Sequence, residues 1–508
     1  MLHFTDMAEL AEHGVPMIVR GEGVRVIDED GAAYIDGLSG LYCTNLGHSF
    51  GDEIGAAAHE QMKELPFVSN WTIAHPRAVE LAAKVAELAP PSLNRAFFTS
   101  GGSESVEAAW KMAVQWQQAN GHERRRKVIA RRNAYHGVTM GALSFTGIPV
   151  CRTPFDPLGI PTVHVGNTSN YHRPEGETEA EFCAALLAEV EATIEFEDPS
   201  TIAMMIAEPV QNAGGCLMPP DGYWQGLRKI CDEHDILLCS DEVICAYGRI
   251  GTWFGGQKFG YVPDLVTFAK GLTGAHFSMG GVLMSDKVAE PFFDGRADYN
   301  NGYTFGGHPV GSAVALKSLE ILERENVLEN VNSNAPVAEE ALQLARDTGR
   351  KDLAAEALLK LGMLRRLSAA YTESARLLIE AVQMFSVLGM EARRAETMLQ
   401  LGQAPMELGD YETALSLFKG ALIIALAQDS MFLRARTYRS VGLLMSRLKD
   451  FAEAERLHRR ALDHFIAIDD RSMIASALNS VALTTLQVLD ETPGAAERER
   501  GRVMAAID

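Results

Sequence analysis

A single lysine stands at the end of an apolar run in the middle of the chain. Residues 264–269 are rich in β-branched and aromatic side chains, and they lead to Lys270, which Gly271 and Gly274 follow. A lysine on so apolar a strand either extends its amine to the surface or is held in a partly desolvated site, where its pKa falls and the amine becomes nucleophilic. A strand, a lysine and a glycine alone favour the surface position, so the interpretation of Lys270 depends on the residues upstream.

Two segments upstream could contact a ligand. Gly101 and Gly102 precede a helical pattern that starts at Ser103, and free N–H groups at a helix start suit phosphate, although a plain tight turn explains the glycine pair equally well. Tyr135 and His136 follow another apolar run. The tyrosine could be a core residue or cover a planar ligand, and the histidine could be a satisfied loop residue.

Two carboxylates also end apolar runs. Glu208 follows residues 202–207, and Asp241 follows residues 236–240. Open α/β sheets bind ligands at the carboxyl ends of their strands. Asp241 could instead only cap a helix, so neither carboxylate is specific by itself.

Taken in chain order, these groups are the parts that hold pyridoxal phosphate: a helix-start phosphate site, an aromatic cover, a strand-end aspartate and a strand-end lysine. With this ordered set in place, residues from about Met17 to Val331 resemble the class III, ω-amino-acid type aminotransferases of the type I pyridoxal-phosphate fold. The resemblance implies an α/β large domain with a mostly parallel sheet, and a homodimer.

The resemblance implies a role for each matched residue. Lys270 would carry a Schiff base and then move the proton between substrate and cofactor. Asp241 would keep the pyridine nitrogen protonated, and Glu208 would support Asp241 or the ring hydroxyl. The other implied cofactor contacts are Tyr135 and Val243 on the two ring faces, His136 beside them, Gly102 and Ser103 at the phosphate, and Thr304 from a second subunit.

The substrate pocket is less defined. Tyr42 and Trp71 fall where the family has aromatic pocket walls, and ordinary packing explains them equally well. The resemblance implies an amine donor such as β-alanine, taurine or another ω-amino acid, and a keto acid acceptor such as pyruvate. The family continues beyond about Val331 into a small α/β domain with an arginine that binds the substrate carboxylate, and no residue of this chain matches that arginine.

The elements that must position these residues follow from two sequence patterns. Up to about residue 312, short apolar runs that are typical of buried strands alternate with segments of helical periodicity. The runs are 128–130, 202–207, 236–240 and 265–269, and the helical segments are 103–118 and 223–233. This alternation predicts an α/β layer with a mostly parallel sheet.

The second pattern is a repeat of 40 residues with no strand signal. It is set by Gly362, Gly402 and Gly442, by Tyr371, Tyr411 and Phe451, by Leu377, Leu417 and Leu457, and by Ala341, Ala381, Ala421 and Ala461. Helical hairpins with small residues at their contacts are indicated, and the array resembles tetratricopeptide repeats, which usually bind peptides or proteins. The array starts within a repeat, near residues 332–336, as in a fusion of two coding fragments.

Composition argues against several other classes of protein. The net charge of -21, from 46 Lys and Arg against 67 Asp and Glu, argues against a nucleic-acid partner, and the short basic runs 124–127 and 131–132 are interpreted as solvated surface. No run of about 18 apolar residues predicts a membrane span. Seven cysteines without zinc-like spacing predict reduced thiols and no metal site, and residues 1–20 lack the features of a secretory signal, so a cytoplasmic protein is expected.

The expected organisation has four parts: an N-terminal segment with a small antiparallel sheet (1–45), a cofactor-binding large domain (46–332), helical repeats (333–490) and a charged tail (491–508). Two hypotheses remain open. The chain is either a working aminotransferase whose repeats recruit a partner, or a repeat-type interaction protein that carries an inactive, cofactor-binding aminotransferase remnant.

Overall fold

The fold is that of a computed structural model, which describes residues 17–170, 173–174, 176–334, 350–367, 371–468 and, beyond these, 473–474, 477–478, 480–481 and 484–485. The chain divides into two compact units, Met1–Ala335 and Pro336–Asp508. Ala341 and the predicted tail 491–508 lie outside the described residues.

The first unit is built around a seven-stranded sheet. Its strands are β4 (Leu93–Thr99), β5 (Lys127–Arg131), β6 (Thr162–Val165), β7 (Ile202–Ala207), β8 (Leu237–Asp241), β9 (Leu265–Phe268) and β10 (Gly280–Ser285), in the order β4-β10-β9-β8-β7-β5-β6. All neighbours from β9 to β6 are parallel, and β10 runs antiparallel to both β9 and β4. The predicted mostly parallel sheet is confirmed.

The central strands are apolar along their whole length because helices cover the sheet. Every residue of β7, β8, β9 and β10 is buried. The helices of this unit are α1 (Ser39–Tyr42), α2 (Gly51–Glu64), α3 (Pro76–Leu88), α4 (Gly102–Ala119), α5 (Met140–Phe145), α6 (Pro149–Arg152), α7 (Glu179–Phe196), α8 (Tyr223–Glu233), α9 (Gly255–Phe259), α10 (Asp286–Phe293), α11 (Pro309–Arg324) and α12 (Val327–Asn334). Short 3-10 helices occur at Thr153–Phe155, Pro199–Thr201 and Lys270–Leu272.

A small antiparallel sheet precedes the large one. It consists of β1 (Ile18–Glu22), β2 (Arg25–Asp28) and β3 (Ala33–Ile35) in that order. Its apolar side chains remain largely in contact with solvent, with Ile35 68% exposed and Val19 63% exposed. This sheet therefore contributes little to the core of the first unit.

The second unit consists of helical hairpins. Its helices are α13 (Lys351–Leu367), α14 (Tyr371–Val387), α15 (Glu391–Glu407), α16 (Tyr411–Ala427), α17 (Met431–Arg447) and α18 (Phe451–Ala467). Consecutive helices pair as α13 with α14, α15 with α16 and α17 with α18. The repeating aromatic residues are the first residues of α14, α16 and α18.

The repeating glycines explain why these pairs are close. A Cβ on Gly362 would lie 2.6 Å from Leu378 Cγ, and one on Gly442 would lie 2.6 Å from the His458 ring. The corresponding Cβ on Gly402 would overlap the ring of Phe418. Each glycine on a first helix thus lets the second helix of its hairpin approach, as the 40-residue pattern predicts.

Among the helices that the structure describes, none combines the length and the apolar character that a membrane crossing requires.

Candidate active site

The carboxyl ends of four neighbouring strands and the start of α4 surround a cavity of about 180 Å³. Eight residues predicted from the sequence line it: Gly102, Ser103, Tyr135, His136, Glu208, Asp241, Val243 and Lys270. They come from segments that are far apart in the chain but adjacent in the sheet order, since β9, β8, β7 and β5 are consecutive neighbours.

Lys270 is the first residue of the 3-10 helix that follows β9, and it is half-buried. Burial lowers the pKa of its ammonium, while the nearby Asp241 carboxylate opposes this shift. Its φ of 41° lies in the left-handed region, which is costly for a residue with a Cβ. The turn is held by Asn45, whose Nδ2 donates to Gly271 O at 3.2 Å and to Tyr247 O at 2.9 Å.

Asp241 ends β8 and is buried among hydrogen-bond donors. Its Oδ2 lies 2.6 Å from His136 Nδ1, and its Oδ1 accepts from Thr267 Oγ1 at 2.9 Å and from Val243 N at 3.1 Å. Both side chains of the His136–Asp241 pair are almost completely buried. These contacts fix the carboxylate at the cavity and leave His136 Nε2 buried without a hydrogen-bond partner in the part of the protein that the structure describes.

Glu208 lies beside Asp241 and organises the backbone of the neighbouring loops. Its Oε1 accepts from Tyr135 N at 2.7 Å, and its Oε2 accepts from Asn212 N at 3.0 Å. Burial raises the pKa of this carboxyl to about 7, and the charge of Asp241 acts in the same direction. Glu208 is therefore a weaker acid than an exposed glutamate, and it lies next to a second carboxylate.

Beneath Glu208 lies Arg131, at the end of β5. It is completely buried, donates to Glu208 O, and its guanidinium lies 5.8 Å from the ring centroids of Tyr223 and Trp224. The interpretation of the basic runs 124–127 and 131–132 as solvated surface is wrong for Arg131, because aromatic faces and a carbonyl stabilise its charge inside the protein. It is also wrong for Arg125, which is buried and donates to Asp235 O. Arg132 is exposed and pairs with Glu189 at 2.9 Å.

The start of α4 packs directly against the segment that follows β8. A Cβ on Gly102 would lie 2.9 Å from Val243 Cγ1, so glycine is required for this approach. Ser103 Oγ accepts from Val138 N at 3.3 Å, and this contact links the helix start to the loop after β5. The positive end of the α4 dipole is thereby placed at the cavity, where it suits an anionic group.

Three other predicted residues do not line this cavity. Thr304 is exposed. Trp71 is 68% exposed and lines a separate cavity of about 790 Å³ with Phe98 and Tyr303. Tyr42 is half-buried on α1, and burial raises the pKa of its hydroxyl. Their assignment to the cofactor and substrate sites stays a prediction.

Sequence reasoning did not single out three residues that complete the cavity, namely Gly137, Asn212 and Ile244. Each lies within four residues of one that was singled out. Gly137 has a φ of 121°, and a Cβ there would overlap Ser103 Oγ. A glycine directly after Tyr135-His136 was thus a usable signal, whereas Asn212 and Ile244 carried none.

Comparison with known proteins agrees with this geometry. The family model "Aminotransferase class-III" matches residues 8–353, and a tetratricopeptide repeat model matches residues 393–484. A probable aminotransferase of Mycobacterium tuberculosis is 46% identical over 346 residues, which are 68% of this chain and 74% of that protein. A putrescine–pyruvate aminotransferase of Pseudomonas aeruginosa is 38% identical over 347 residues, covering 68% of this chain and 75% of that protein.

Solved structures give the same result. An (S)-enantioselective ω-transaminase from Thermomicrobium roseum is 43% identical and superposes with a TM-score of 0.66, over 68% of this chain and 78% of that one. The ω-transaminase of Pseudomonas jessenii in complex with PMP is 37% identical, with a TM-score of 0.65 and the same coverage. Class III aminotransferases depend on pyridoxal phosphate, and the chain belongs to this family, with tetratricopeptide repeats following its aminotransferase unit.

Proposed function

We propose that the protein moves an amino group from an ω-amino acid or another amine to a keto acid such as pyruvate, and that Lys270 holds the pyridoxal phosphate. The observation that carries this proposal is the meeting of a desolvated lysine and a buried aspartate in one cavity. The P. aeruginosa relative is a putrescine–pyruvate aminotransferase, and the similar structures are ω-transaminases.

The residues of the cavity fit the cofactor chemically. The start of α4, with Gly102 and Ser103, offers N–H and hydroxyl donors for a phosphate. Asp241 offers a fixed carboxylate for a protonated ring nitrogen, and Tyr135 and Val243 supply apolar surface for the ring. The Nε2 of buried His136, which has no hydrogen-bond partner among the described residues, supports the proposal that this cavity accepts a polar ligand.

The chemistry divides between the cofactor and the chain. Bound pyridoxal phosphate supplies an electron sink for the electron pair left when a substrate C–H loses its proton. Lys270 Nζ would hold the cofactor and, as a free amine, would move that proton; its lowered pKa makes a neutral, basic amine accessible. Asp241 would stabilise positive charge at the ring nitrogen, and His136 and Thr267 hold the oxygens of the Asp241 carboxylate in place.

Glu208 has a supporting role in this scheme. Its two oxygens are occupied by the N–H groups of Tyr135 and Asn212, so it sets the position of the aromatic cover. Its carboxyl, with a pKa of about 7, also limits the negative charge beside Asp241. The neutral form of Glu208 would leave Asp241 as the carboxylate that pairs with the ring nitrogen.

The proposal extends to assembly and location. We propose a homodimer, in which Thr304 contributes to the partner's site, because the exposed aromatic residues Trp71 and Phe305 lie on or beside the 790 Å³ cavity. The repeats are proposed to bind a protein or peptide. A cytoplasmic location is proposed because all seven cysteines are free thiols.

A specific observation favours the alternative of an inactive remnant. The match covers about three quarters of the length of each relative described above. The remaining quarter of each relative lies outside the match. In that case the cavity would still bind pyridoxal phosphate, but amines would not be turned over.

One titration separates the two functions. The purified protein, loaded with pyridoxal phosphate, is followed by absorbance while β-alanine is added and then pyruvate. An aminotransferase loses the long-wavelength band with the amine and recovers it with the keto acid. A stable band that no amine in an ω-amine panel alters would establish the remnant, and a protein that never acquires the band would refute the proposed cofactor site.

A further inference from the structure

The first helix of the third hairpin carries a charge where the first helices of the other two hairpins are apolar. Leu359 on α13 and Leu399 on α15 are only 1% and 2% exposed, and the 40-residue register continues at Arg439 on α17. Arg439 is half-buried, and both its burial and the positive charge of Arg436 lower the pKa of its guanidinium. An arginine is therefore held at a core position of the repeat, next to a like charge.

The second helix of this hairpin shows the same kind of change. His458 on α18 is in register with Leu378 and Phe418, and it is 1% exposed. Its ring packs on Gly442, which is the glycine contact of the other two hairpins. Burial lowers the pKa of His458 to about 4, the charge of Arg439 acts in the same direction, and the buried Nδ1 has no hydrogen-bond partner among the described residues. A second core position of this hairpin has thus become polar.

Ion pairs link the first helices of the three described hairpins. Arg393 on α15 pairs with Glu356 on α13 and with Glu396 on its own helix. Glu396 also accepts from Arg436 Nη1 on α17 at 2.9 Å. The sign of the charge alternates along this ladder until α17, where Arg439 follows Arg436 by three residues and shares its side of the helix. The ladder therefore ends in an arginine face, formed by Arg436 and Arg439.

The adjoining sequence does not supply acids to continue the ladder. The third hairpin, residues 431–467, has eight Lys and Arg against four Asp and Glu, whereas the second, residues 391–427, has three against five. Residues 472–489, which follow the third hairpin, contain neither Asp nor Glu. Positive charge thus accumulates at this end of the array, in a chain whose net charge is -21.

We propose that the arginine face of α17 binds a carboxylate of an acidic peptide segment on a partner protein. Arg436 bonds Glu396 through Nη1 alone, and a guanidinium has five N–H donors, so donors remain for a ligand. Paired N–H groups match a carboxylate, and partial burial strengthens the contact. A bound carboxylate also relieves the repulsion between the two arginines, which offsets the loss of a leucine contact at position 439.

This assignment rests on the proposed peptide binding by the repeats, and it adds the hairpin and the chemistry of the partner. The charge distribution favours a short acidic peptide over a nucleic acid. A long polyanion is repelled by a chain with a net charge of -21, whereas a short acidic segment meets the local excess of Lys and Arg.

The test is fluorescence anisotropy with the cofactor-loaded full-length protein and a labelled oligo-glutamate peptide. Arg439→Leu restores the residue of the other two hairpins, so the array should stay folded while the Kd for the peptide rises about 10-fold or more, as for a lost charged hydrogen bond. Arg456→Leu is the matched control, because it removes the same charge from the same hairpin at an exposed arginine paired with Glu453. It should change the Kd less than about threefold.

A second variant separates charge from packing. Arg439→Gln removes the charge without restoring an apolar side chain and should bind the peptide as weakly as Arg439→Leu, whereas Arg439→Lys should fall between. Equal weakening by Arg439→Leu and Arg456→Leu would show general charge attraction and would overturn the proposal. Unaltered binding in both variants at position 439 would overturn it as well.

Two further probes define the partner. An oligo-glutamine peptide of the same length should bind much more weakly than oligo-glutamate; equal binding would retain a peptide site but refute its preference for acids. A single-stranded DNA of the same charge that binds more tightly than oligo-glutamate would assign the face to nucleic acid instead. The titration with β-alanine and pyruvate should be identical in all variants, so peptide binding and the aminotransferase reaction succeed or fail separately.

Discussion

The two units of this protein differ in where they place polar groups. In the aminotransferase unit, the sheet ends in a buried network of Asp241, His136 and Thr267, with Glu208 and Arg131 beside it. In the repeat unit the helix contacts are mostly apolar, and charges pair at the surface or at its edge, as Arg447 does with Glu407 at 3.1 Å.

This difference distinguishes the unit whose polar groups can take part in a reaction from the unit whose contacts only stabilise the fold. Burying a polar group destabilises the folded state unless the group forms hydrogen bonds. A cluster of buried polar groups is therefore retained where a reaction needs fixed charges. Repeated apolar contacts stabilise a surface without selecting any chemistry. Substitutions in the first unit should therefore change cofactor binding and turnover, and substitutions in the second should change local stability.

The largest expected effect is at Lys270. Lys270→Ala removes the amine that binds the cofactor, so the visible absorbance band should be lost completely after incubation with pyridoxal phosphate and gel filtration. Lys229→Ala, at an exposed helix lysine paired with Glu233, should keep the band. A full band in Lys270→Ala would place the covalent bond elsewhere.

Asp241→Asn should have the next largest effect. The amide is nearly isosteric but uncharged, so it would not stabilise positive charge at the ring nitrogen. The rate constant of the amine half-reaction should fall by about 100-fold or more, in the range of other lost acid–base and electrostatic contributions. Single-turnover kinetics with β-alanine measures this. Unchanged kinetics in a folded, loaded variant would remove Asp241 from the site.

In the repeat unit, a matched glycine pair tests the packing. Gly402→Ala adds a Cβ that overlaps the rigid ring of Phe418 and should destabilise the array by about 1–3 kcal/mol. Gly420→Ala meets only the flexible end of Met398, so the higher helix propensity of alanine should keep the array at least as stable. Thermal unfolding followed by circular dichroism compares the two, and the cofactor band should be the same in both. Equal melting temperatures would contradict the proposed packing role of Gly402.

The smallest effect concerns pH. Because the pKa of Glu208 is about 7 in the folded state and near 4.5 otherwise, the folded protein binds more protons between these values, and Glu208 contributes stability that is lost as pH rises through about 7. The loss is at most about 1.4 kcal/mol per pH unit. Urea unfolding of the cofactor-free protein at several pH values should show a shallower decline in Glu208→Gln. An identical slope in both proteins would show that Glu208 ionises normally.

Much of the first unit could be predicted because its parallel strands are buried on both faces. The run 202–207 and the helical pattern 223–233 agree with β7 and α8 in both bounds. The strands β4, β6 and β10 were not predicted. β10 starts with two glycines, and its antiparallel insertion between β4 and β9 depends on tertiary contacts that no local pattern contains.

The site was predictable as a set of residues but not as a network. The ordered motifs identified the residues around Lys270, whereas the contact between His136 and Asp241 joins positions 105 residues apart. Arg131 shows most clearly what the sequence could not predict. Two adjacent arginines are typical of an exposed surface, and only the fold places the rings of Tyr223 and Trp224 beside Arg131.

The glycine contacts in the helical hairpins have an evolutionary consequence. Each hairpin brings its own glycine and the side chain that packs on it, as Gly362 does with Leu378 and Gly442 with His458. A duplication of a 40-residue segment that spans one hairpin therefore copies a complete contact together with its register. The array can lengthen by whole hairpins through simple gene duplication, with no compensating substitution in the copied segment.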